Sequence, residues 1–328
     1  MNIVKKICGT FMLPVAVYIA MMILCYSNGK MYYGTWAMWK TLIVDISISV
    51  TSALGIGIQF KNGRFDFSGG AIMLIAGIVA GHVAKDNGNS VFLMVVVAFA
   101  LCIVLSLVVA LLYVYGRVPI IIATIGMALL YEAITCIIYN GQGINMVSNN
   151  TLRLFSSYPT VLIPGVLAIL IYAFYSRFTK TGKQSLLLAN NQQSAVNIGI
   201  DEKKNVIISY IYSGILFGFA TLVWLATDIH KASFSSLGTV GELFTNILPV
   251  FIGLMLANFC GDTIGTLMGS VSLCLLSYAL KAVFENEMGS AITTIVTGVF
   301  ILLLNVISAQ GTSWLRGIKK IFTRRKTA

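Results

Sequence analysis

Long apolar runs alternate with short polar segments along almost the whole chain. Most of these runs reach the length of about 20 residues that a helix needs to cross the hydrocarbon core of a bilayer. Backbone N–H and C=O groups find no water in lipid, so segments that cross it are predicted to be helices. The runs cover residues 7–26, 41–60, 65–84, 87–116, 118–140, 154–176, 205–227, 243–261, 263–280 and 288–315. The pattern predicts an all-α integral membrane protein of about ten transmembrane helices, in one domain over residues 1–328.

The composition supports this interpretation and leaves little room for a separate water-soluble domain. Of the 328 residues, 58% are hydrophobic and 10% are charged, whereas about a quarter of a soluble chain is charged. The six cysteines lie in apolar runs without CxxC spacing and the two histidines are far apart, so we predict neither a disulfide framework nor a metal site. The first run, 7–26, is long for a signal peptide and no small-residue cleavage motif follows it. We expect it to be a retained first helix.

The positions of Lys and Arg predict which side each loop faces. The net charge of +11 would suggest nucleic acid in a soluble protein, but membrane proteins concentrate positive residues on the cytoplasmic side. With ten spans and a cytoplasmic N-terminus, 16 Lys and Arg residues lie in inner segments and 6 in outer ones. The inner segments include residues 177–204, called the polar loop below, and a basic tail, 316–328, expected to bind anionic lipid. Both termini and the polar loop are therefore expected in the cytoplasm, with no nucleic-acid partner.

The polar loop is the longest polar interruption between two apolar runs, and its second half is predicted to hold a short helix. Asn191 is a good N-cap, small Ser194 and Ala195 allow close approach, and Gly199 can end the helix. Ala195, Ile198 and Gly199 would share one face by their spacing. Because a helix of two turns is marginal by itself, it must dock on something. The residues alone leave open whether it docks on its own spans or on a cytoplasmic partner.

Carboxylates inside apolar runs are the main candidates for chemistry, since a charge in the bilayer is costly. Glu132 could line a pathway or pair with a buried polar group. Asp45, nearer the outer interface, could line a pathway or be solvated there. Asp66 lies in a turn beside Arg64 and is expected to cap a helix or to form an ion pair.

No set of residues typical of an enzyme active site is found. The segment 181–184 ends like a phosphate-binding loop, but no hydroxyl residue follows Lys183 and no glycine stands five positions before Gly182. A Walker A loop needs both, so we expect no catalysis and no cofactor in this chain. A stand-alone secondary transporter or channel remains an alternative at this point.

Three short motifs resemble motifs of permeases from binding-protein-dependent ABC importers, in the ribose-type sugar branch, and they occur in the same order along the chain. The first resembles the coupling segment N-x-x-A-A-x-x-x-G-I, the second the turn G-G-I-D-L-S-V-G, and the third G-x-x-x-G-T-L-L-G. The matching residues are Asn191, Ala195, Gly199 and Ile200 in the first motif, Gly63, Asp66, Ser68 and Gly70 in the second, and Gly261, Gly265 and Gly269 in the third. In the first motif Ser194 replaces Ala, and Val196 stands where an Arg is usual.

The resemblance, which extends over roughly residues 40–310, implies a type II importer permease in a bacterial cytoplasmic membrane. Two permease subunits, alike or different, would surround one pathway. Two ATPase subunits, which bind ATP and Mg²⁺, would dock below, and an external solute-binding protein would deliver the cargo. The segment from Gln192 to Ile200 would lie in a groove of the ATPase. The cargo implied is a monosaccharide or similar small polar solute, with nucleosides or amino acids as alternatives.

Overall fold

The computed structural model describes residues 3–234, 236–284, 291–296 and 298–299. The described residues form a helical bundle with one short pair of strands, which confirms the predicted all-α fold class. Its helices are α1 (Ile3–Ser27), α2 (Trp36–Lys61), α3 (Gly69–Asp86), α4 (Val91–Gly116), α5 (Ile120–Ile137), α6 (Leu162–Phe178), α7 (Lys180–Asn190), α8 (Gln192–Asn197), α9 (Glu202–Thr227), α10 (Val240–Cys260) and α11 (Asp262–Val283). A 3-10 turn, Ile138–Gly141, leads to strand β1 (Ile144–Asn145), which pairs antiparallel with β2 (Ile229–His230).

The predicted count of ten spans is not confirmed. Among the described residues, 7 helices are long and apolar enough to cross a membrane, and α6 with α7 would make an eighth if that pair, bent by 70°, is one span. Helix α10 has a shorter apolar stretch, Phe244–Ala257. Most of the predicted tenth span, 288–315, and the whole basic tail, 316–328, lie outside the described residues.

Two predicted spans begin too early because hydrophobicity alone does not separate a helix from an apolar turn. Residues 154–161 form turns, and α6 starts at Leu162. Pro159 has no N–H to donate, and the Thr160 hydroxyl donates to the Ser157 carbonyl, 2.9 Å away. Residues 65–68 are likewise not helical, and α3 starts at Gly69.

Glycines set the closest approach between helices, since small residues at every fourth position let helix backbones come together. In α11, a Cβ on Gly265 would lie 2.6 Å from the Gly253 carbonyl oxygen of α10, and one on Gly269 would lie 2.7 Å from the Pro249 carbonyl oxygen. In α9, a Cβ on Gly214 would lie 2.8 Å from the Cys102 carbonyl oxygen of α4. These backbones touch because no side chain stands between them.

Replacing Gly265 with Ala should therefore push α10 and α11 apart. We expect a loss of about 1–3 kcal/mol in the free energy of unfolding, the usual cost of forcing a methyl group into a packed contact. Thermal unfolding of the purified, detergent-solubilised protein measures it. Gly126→Ala in α5 is the matched control, because nothing lies within 4 Å of the Cβ it would add. Equal melting temperatures for the two variants would contradict the close contact.

Two helices, α3 and α10, begin inside the bundle rather than at its surface. Gly70 in the first turn of α3 is buried, and its Cβ position lies 2.5 Å from the carbonyl oxygen of Thr239, the residue before α10. Thr239 itself is only 6% exposed. Non-helical backbone at such depth survives only where protein or a water-filled cavity surrounds it. The polar groups of these two helix starts must therefore be satisfied from within the chain.

Candidate functional site at the loop end of the bundle

The polar loop folds into two helices that lie across one end of the bundle, called the loop end below. The chain bends by 70° between α6 and α7. The Thr179 side chain caps α7 by accepting from the Gly182 N–H at 3.0 Å, and the Asn191 side chain caps α8 by accepting from the Ser194 N–H at 3.0 Å. The predicted short helix and its N-cap are confirmed.

Helix α8 ends in a tight turn at Gly199, as the sequence predicted. Gly199 has a φ of +92°, in the left-handed region that favours glycine. The Gly199 N–H donates to the Val196 carbonyl at 2.9 Å, and the Ile200 N–H donates to the Ala195 carbonyl at 3.1 Å. This is the Schellman pattern, in which an apolar contact usually closes the turn. Here Ile200 and Ala195 bury themselves against Leu188 of α7.

The side chains of α8 are not distributed as predicted. Ala195 is 3% exposed and packs within the chain, whereas Ile198 is 72% exposed and Val196 is 44% exposed. The prediction that Ala195 and Ile198 share a face is wrong, since Ala195 packs on Leu188 and Ile200 whereas Ile198, the C-cap residue, faces solvent. The outward apolar surface of α8 therefore consists of Ile198 and Val196.

Other predicted residues of α8 lie at its start. Asn191, Gln192 and Ser194 are exposed. The Gln192 side-chain amide donates to the Glu202 carboxylate of α9 at 2.7 Å. This contact links the first turn of α8 to the helix that follows the polar loop.

Helix α7 is fixed to α6 and α9 by buried polar contacts. The hydroxyls of Tyr175 and Ser185 lie 3.1 Å apart, and the Ser185 hydroxyl donates to the Asn205 side-chain oxygen at 3.3 Å. The Asn205 amide in turn donates to the Thr181 carbonyl at 3.0 Å. Because buried polar groups are costly to separate from their partners, α7 is expected to move together with the ends of these two long helices.

The other two sequence motifs meet the polar loop at the same end. A Cβ on Gly63 would lie 3.7 Å from the Cα of Ala189 in α7. A Cβ on Gly261 would lie 3.5 Å from the Arg177 guanidinium at the end of α6. Segments that are distant along the chain are therefore brought to one surface.

An ion pair adjoining this surface ties three helices together. The Lys61 ammonium at the end of α2 lies 2.5 Å from the Asp262 carboxylate at the start of α11. The Tyr172 hydroxyl of α6 donates to the same carboxylate at 3.1 Å and also accepts from Lys61. Sequence reasoning missed this set, because only the fold brings residues so distant in sequence into contact.

Asp66 acts at the start of α3. Its carboxylate accepts from the Ser68 N–H at 2.8 Å and from the Ser68 hydroxyl at 2.5 Å, just before the helix begins. The expected ion pair with Arg64 is not formed, since the Arg64 guanidinium donates to the Ser209 hydroxyl of α9 at 3.2 Å. Burial lowers the pKa of Arg64 from its ordinary value, and nearby groups including the Glu202 carboxylate oppose that change.

Glu132 forms hydrogen bonds at the start of α10, in line with one of the two alternatives raised from the sequence, pairing with a buried polar group. The side chain is 2% exposed. One carboxylate oxygen accepts from the Thr239 N–H at 2.7 Å and from the Thr239 hydroxyl at 2.6 Å. A carboxylate also suits the positive end of a helix dipole. Glu132 therefore pairs with a buried polar group, and its contacts hold the interior start of α10.

Asp45 lies away from the polar loop, in the half of α2 nearer Trp36. It is exposed in the single chain and lines a cavity of about 270 Å³ with residues of α10 and α11. The structure therefore separates the two carboxylates that the sequence grouped together. Glu132 is hydrogen-bonded inside the bundle, whereas Asp45 borders a cavity.

The chain matches the family model described as branched-chain amino acid transport system / permease component over residues 38–307. That match covers most of the 328 residues. The chain belongs to this permease family. It is a multi-pass membrane transport component, and the resemblance predicted from three short motifs is confirmed.

Curated relatives within this family carry sugar-import names. The ribose import permease protein RbsC of Escherichia coli K12 is 27% identical over 250 residues, which cover 73% of this chain and 76% of the relative. The fructose import permease protein FruG of Bifidobacterium longum is 23% identical over 313 residues, 90% of each chain. The galactose/methyl galactoside import permease protein MglC of E. coli K12 is 23% identical over 274 residues, covering 75% of this chain and 80% of the relative.

Proposed function

We propose that this permease is the membrane subunit of an ATP-driven importer for a monosaccharide or a similarly small polar solute. The observation that carries the proposal is that three relatives aligned over most of this chain are named as import permeases for ribose, fructose and galactose. The family description names branched-chain amino acids instead, so an amino acid is the second candidate cargo. The chain itself would hold no ATP or Mg²⁺.

In such importers, separate proteins hydrolyse ATP, form the pathway and deliver the cargo, and the proposed partners follow from this. A separate ATPase would dock on the polar loop, and a second permease subunit would complete the pathway. A solute-binding protein would deliver cargo to the end of the bundle opposite the polar loop. The orientation proposed is that the polar loop and both termini face the cytoplasm of a bacterial cell, as the excess of Lys and Arg on that side supports.

Surface exposure supports α8 as the ATPase contact. Ile198 and Val196 present apolar side chains to solvent. They are not needed to hold α8 in place, because Ala195 already packs against the rest of the chain. Exposed apolar groups on a compact, pre-formed element are suited to docking. Since Val196 stands where the resembled motif usually has an Arg, we propose that the contact is mainly apolar rather than a salt bridge.

The buried contacts of α7 give a route for the motion that ATP binding would cause. Displacement of α8 and α7 would carry α6 and α9 through the hydrogen bonds of Ser185 and Asn205. The contact of Tyr172 with Lys61 and Asp262 would pass the displacement to α2 and α11. Rigid-body movement of packed helices is a known means of opening a pathway alternately to each side.

Uptake by cells in which the gene is deleted tests the cargo directly. We expect deletion to abolish ATP-dependent uptake of at least one of radiolabelled D-ribose, D-fructose or D-galactose, and a plasmid copy to restore it. Leucine uptake, measured in the same cells, represents the second candidate. Loss of leucine uptake with normal uptake of all three sugars would overturn the sugar proposal.

A further inference from the structure

The cavity beside Asp45, called the Asp45 cavity below, brings polar and apolar side chains together inside the membrane-spanning part of the chain. Helix α2 has 26 residues and is about 39 Å long at 1.5 Å per residue. Asp45 is nine residues from the Trp36 end, or about 14 Å along the axis. The hydrocarbon core is about 30 Å thick, so Asp45 lies about 5 Å inside it even if all the excess length extends beyond the Trp36 end.

A charged, exposed side chain at this depth requires water or protein around it, because lipid does not accommodate it cheaply. The cavity supplies such surroundings. Beside Asp45 its lining includes the hydroxyls of Ser49 and Ser277, the amide of Asn246 and the ammonium of Lys281. Asn246 is 5% exposed, so the lining extends into the bundle.

The cavity continues toward the end of the bundle opposite the polar loop. A second cavity, of about 280 Å³, shares Asp45, Ser277 and Lys281 with the first and adds Tyr32 and Tyr278. The two tyrosine rings pack edge to face with centroids 6.5 Å apart. A solute entering from that end would pass aromatic rings before it reaches the carboxylate.

The lining chemistry indicates what kind of solute fits. Its described residues carry one acidic and one basic side chain, Asp45 and Lys281, so neither an anion nor a cation would find an excess of opposite charge. Hydroxyls and an amide both donate and accept, and a carboxylate accepts from hydroxyl groups. Taken together, the two adjoining cavities, of about 270 and 280 Å³, fall within the usual range of ligand pockets, roughly 300–1,000 Å³. The site is suited to a small, neutral molecule with many hydroxyl groups.

We propose that the Asp45 cavity is a transient binding site for a neutral polyhydroxylated solute within the translocation pathway, with Asp45 and Ser277 as direct contacts. The inference rests on the proposed import function and adds a location and a recognition chemistry to it. Glu132, bonded to Thr239, has no part in this site.

The test uses initial rates of uptake in cells that carry the whole importer, with the sugar that the native protein transports. We expect Asp45→Asn to lower the rate about tenfold, and Ser277→Trp, which fills the cavity, to lower it to background, at unchanged amounts of permease in the membrane. The matched control is Asp86→Asn, which changes an exposed carboxylate at the end of α3, and it should transport at the native rate. Native rates in both cavity variants would overturn the proposal.

A second measurement compares one variant before and after chemical modification, so a folding defect of the variant cannot mimic the result. Ser277→Cys is combined with Cys274→Ser, which removes a native thiol from the cavity lining. A hydrophilic methanethiosulfonate reagent should stop uptake in this variant, a reducing agent should restore it, and saturating sugar should slow the modification. Unchanged uptake after complete modification of the new thiol would contradict a site at Ser277. If native cells transport no sugar at all, the proposed function itself fails, a result distinct from native uptake with indifferent variants.

Discussion

Ile198→Glu is expected to abolish uptake and to release the ATPase from the purified permease, while the permease remains folded in the membrane. Ile198 is 72% exposed, so a charge there disturbs little within the chain. If the same side chain is buried against an ATPase, the variant places an unpaired carboxylate in an apolar contact, which typically costs several kcal/mol. Co-purification of the ATPase with tagged permease, beside uptake in cells, measures both effects.

Two controls distinguish the loss of the apolar contact at position 198 from a general effect of adding a negative charge. Ile198→Leu keeps an apolar side chain of the same size and should preserve both uptake and co-purification. Asn150→Glu adds the same charge to an exposed turn after β1 and should leave co-purification unchanged. Retention of the ATPase by the Ile198→Glu protein would show that α8 is not its main contact.

Glu132→Ala should destabilise the fold strongly, because it leaves the N–H and the hydroxyl of Thr239 buried without their partner. Each unsatisfied group costs about 1–3 kcal/mol, and the lost side chain leaves a cavity as well. We expect a loss of roughly 3 kcal/mol or more, seen as a lower melting temperature and less folded protein in detergent. Glu132→Gln keeps an oxygen that can accept from Thr239 and should lose much less.

The same two variants show whether Glu132 holds the start of α10 or contacts the solute. If Glu132 only holds α10, we expect the Glu132→Gln protein to transport sugar at near the native rate. A stable Glu132→Ala protein, together with a Glu132→Gln protein that is folded but inactive, would instead indicate that the charge meets the solute.

Local features of the site were predictable from sequence. The N-cap Asn191 and the terminating Gly199 are adjacent to the helix that they delimit, so their chemistry predicts α8 without knowledge of the rest of the fold. The glycine contacts between α10 and α11 were likewise predictable, since the two helices are consecutive and small residues recur at every fourth position.

Features that depend on distant residues were not predictable. Lys61 and Asp262 are 201 residues apart, and Glu132 and Thr239 are 107 apart. Apolar periodicity indicates that helices exist but not which of them are neighbours. The burial of Ala195 was mispredicted for a related reason, because the spacing within α8 does not show that Leu188 of α7 and Ile200 cover it.

The account depends most on α8 being the surface that receives the ATPase. A photo-activatable cross-linking amino acid placed at Ile198 in cells, with Asn150 as the comparison position, tests this directly. We predict that position 198 yields a covalent adduct with an ATP-hydrolysing subunit and that position 150 does not. An active permease whose position 198 gives no such adduct would contradict the account.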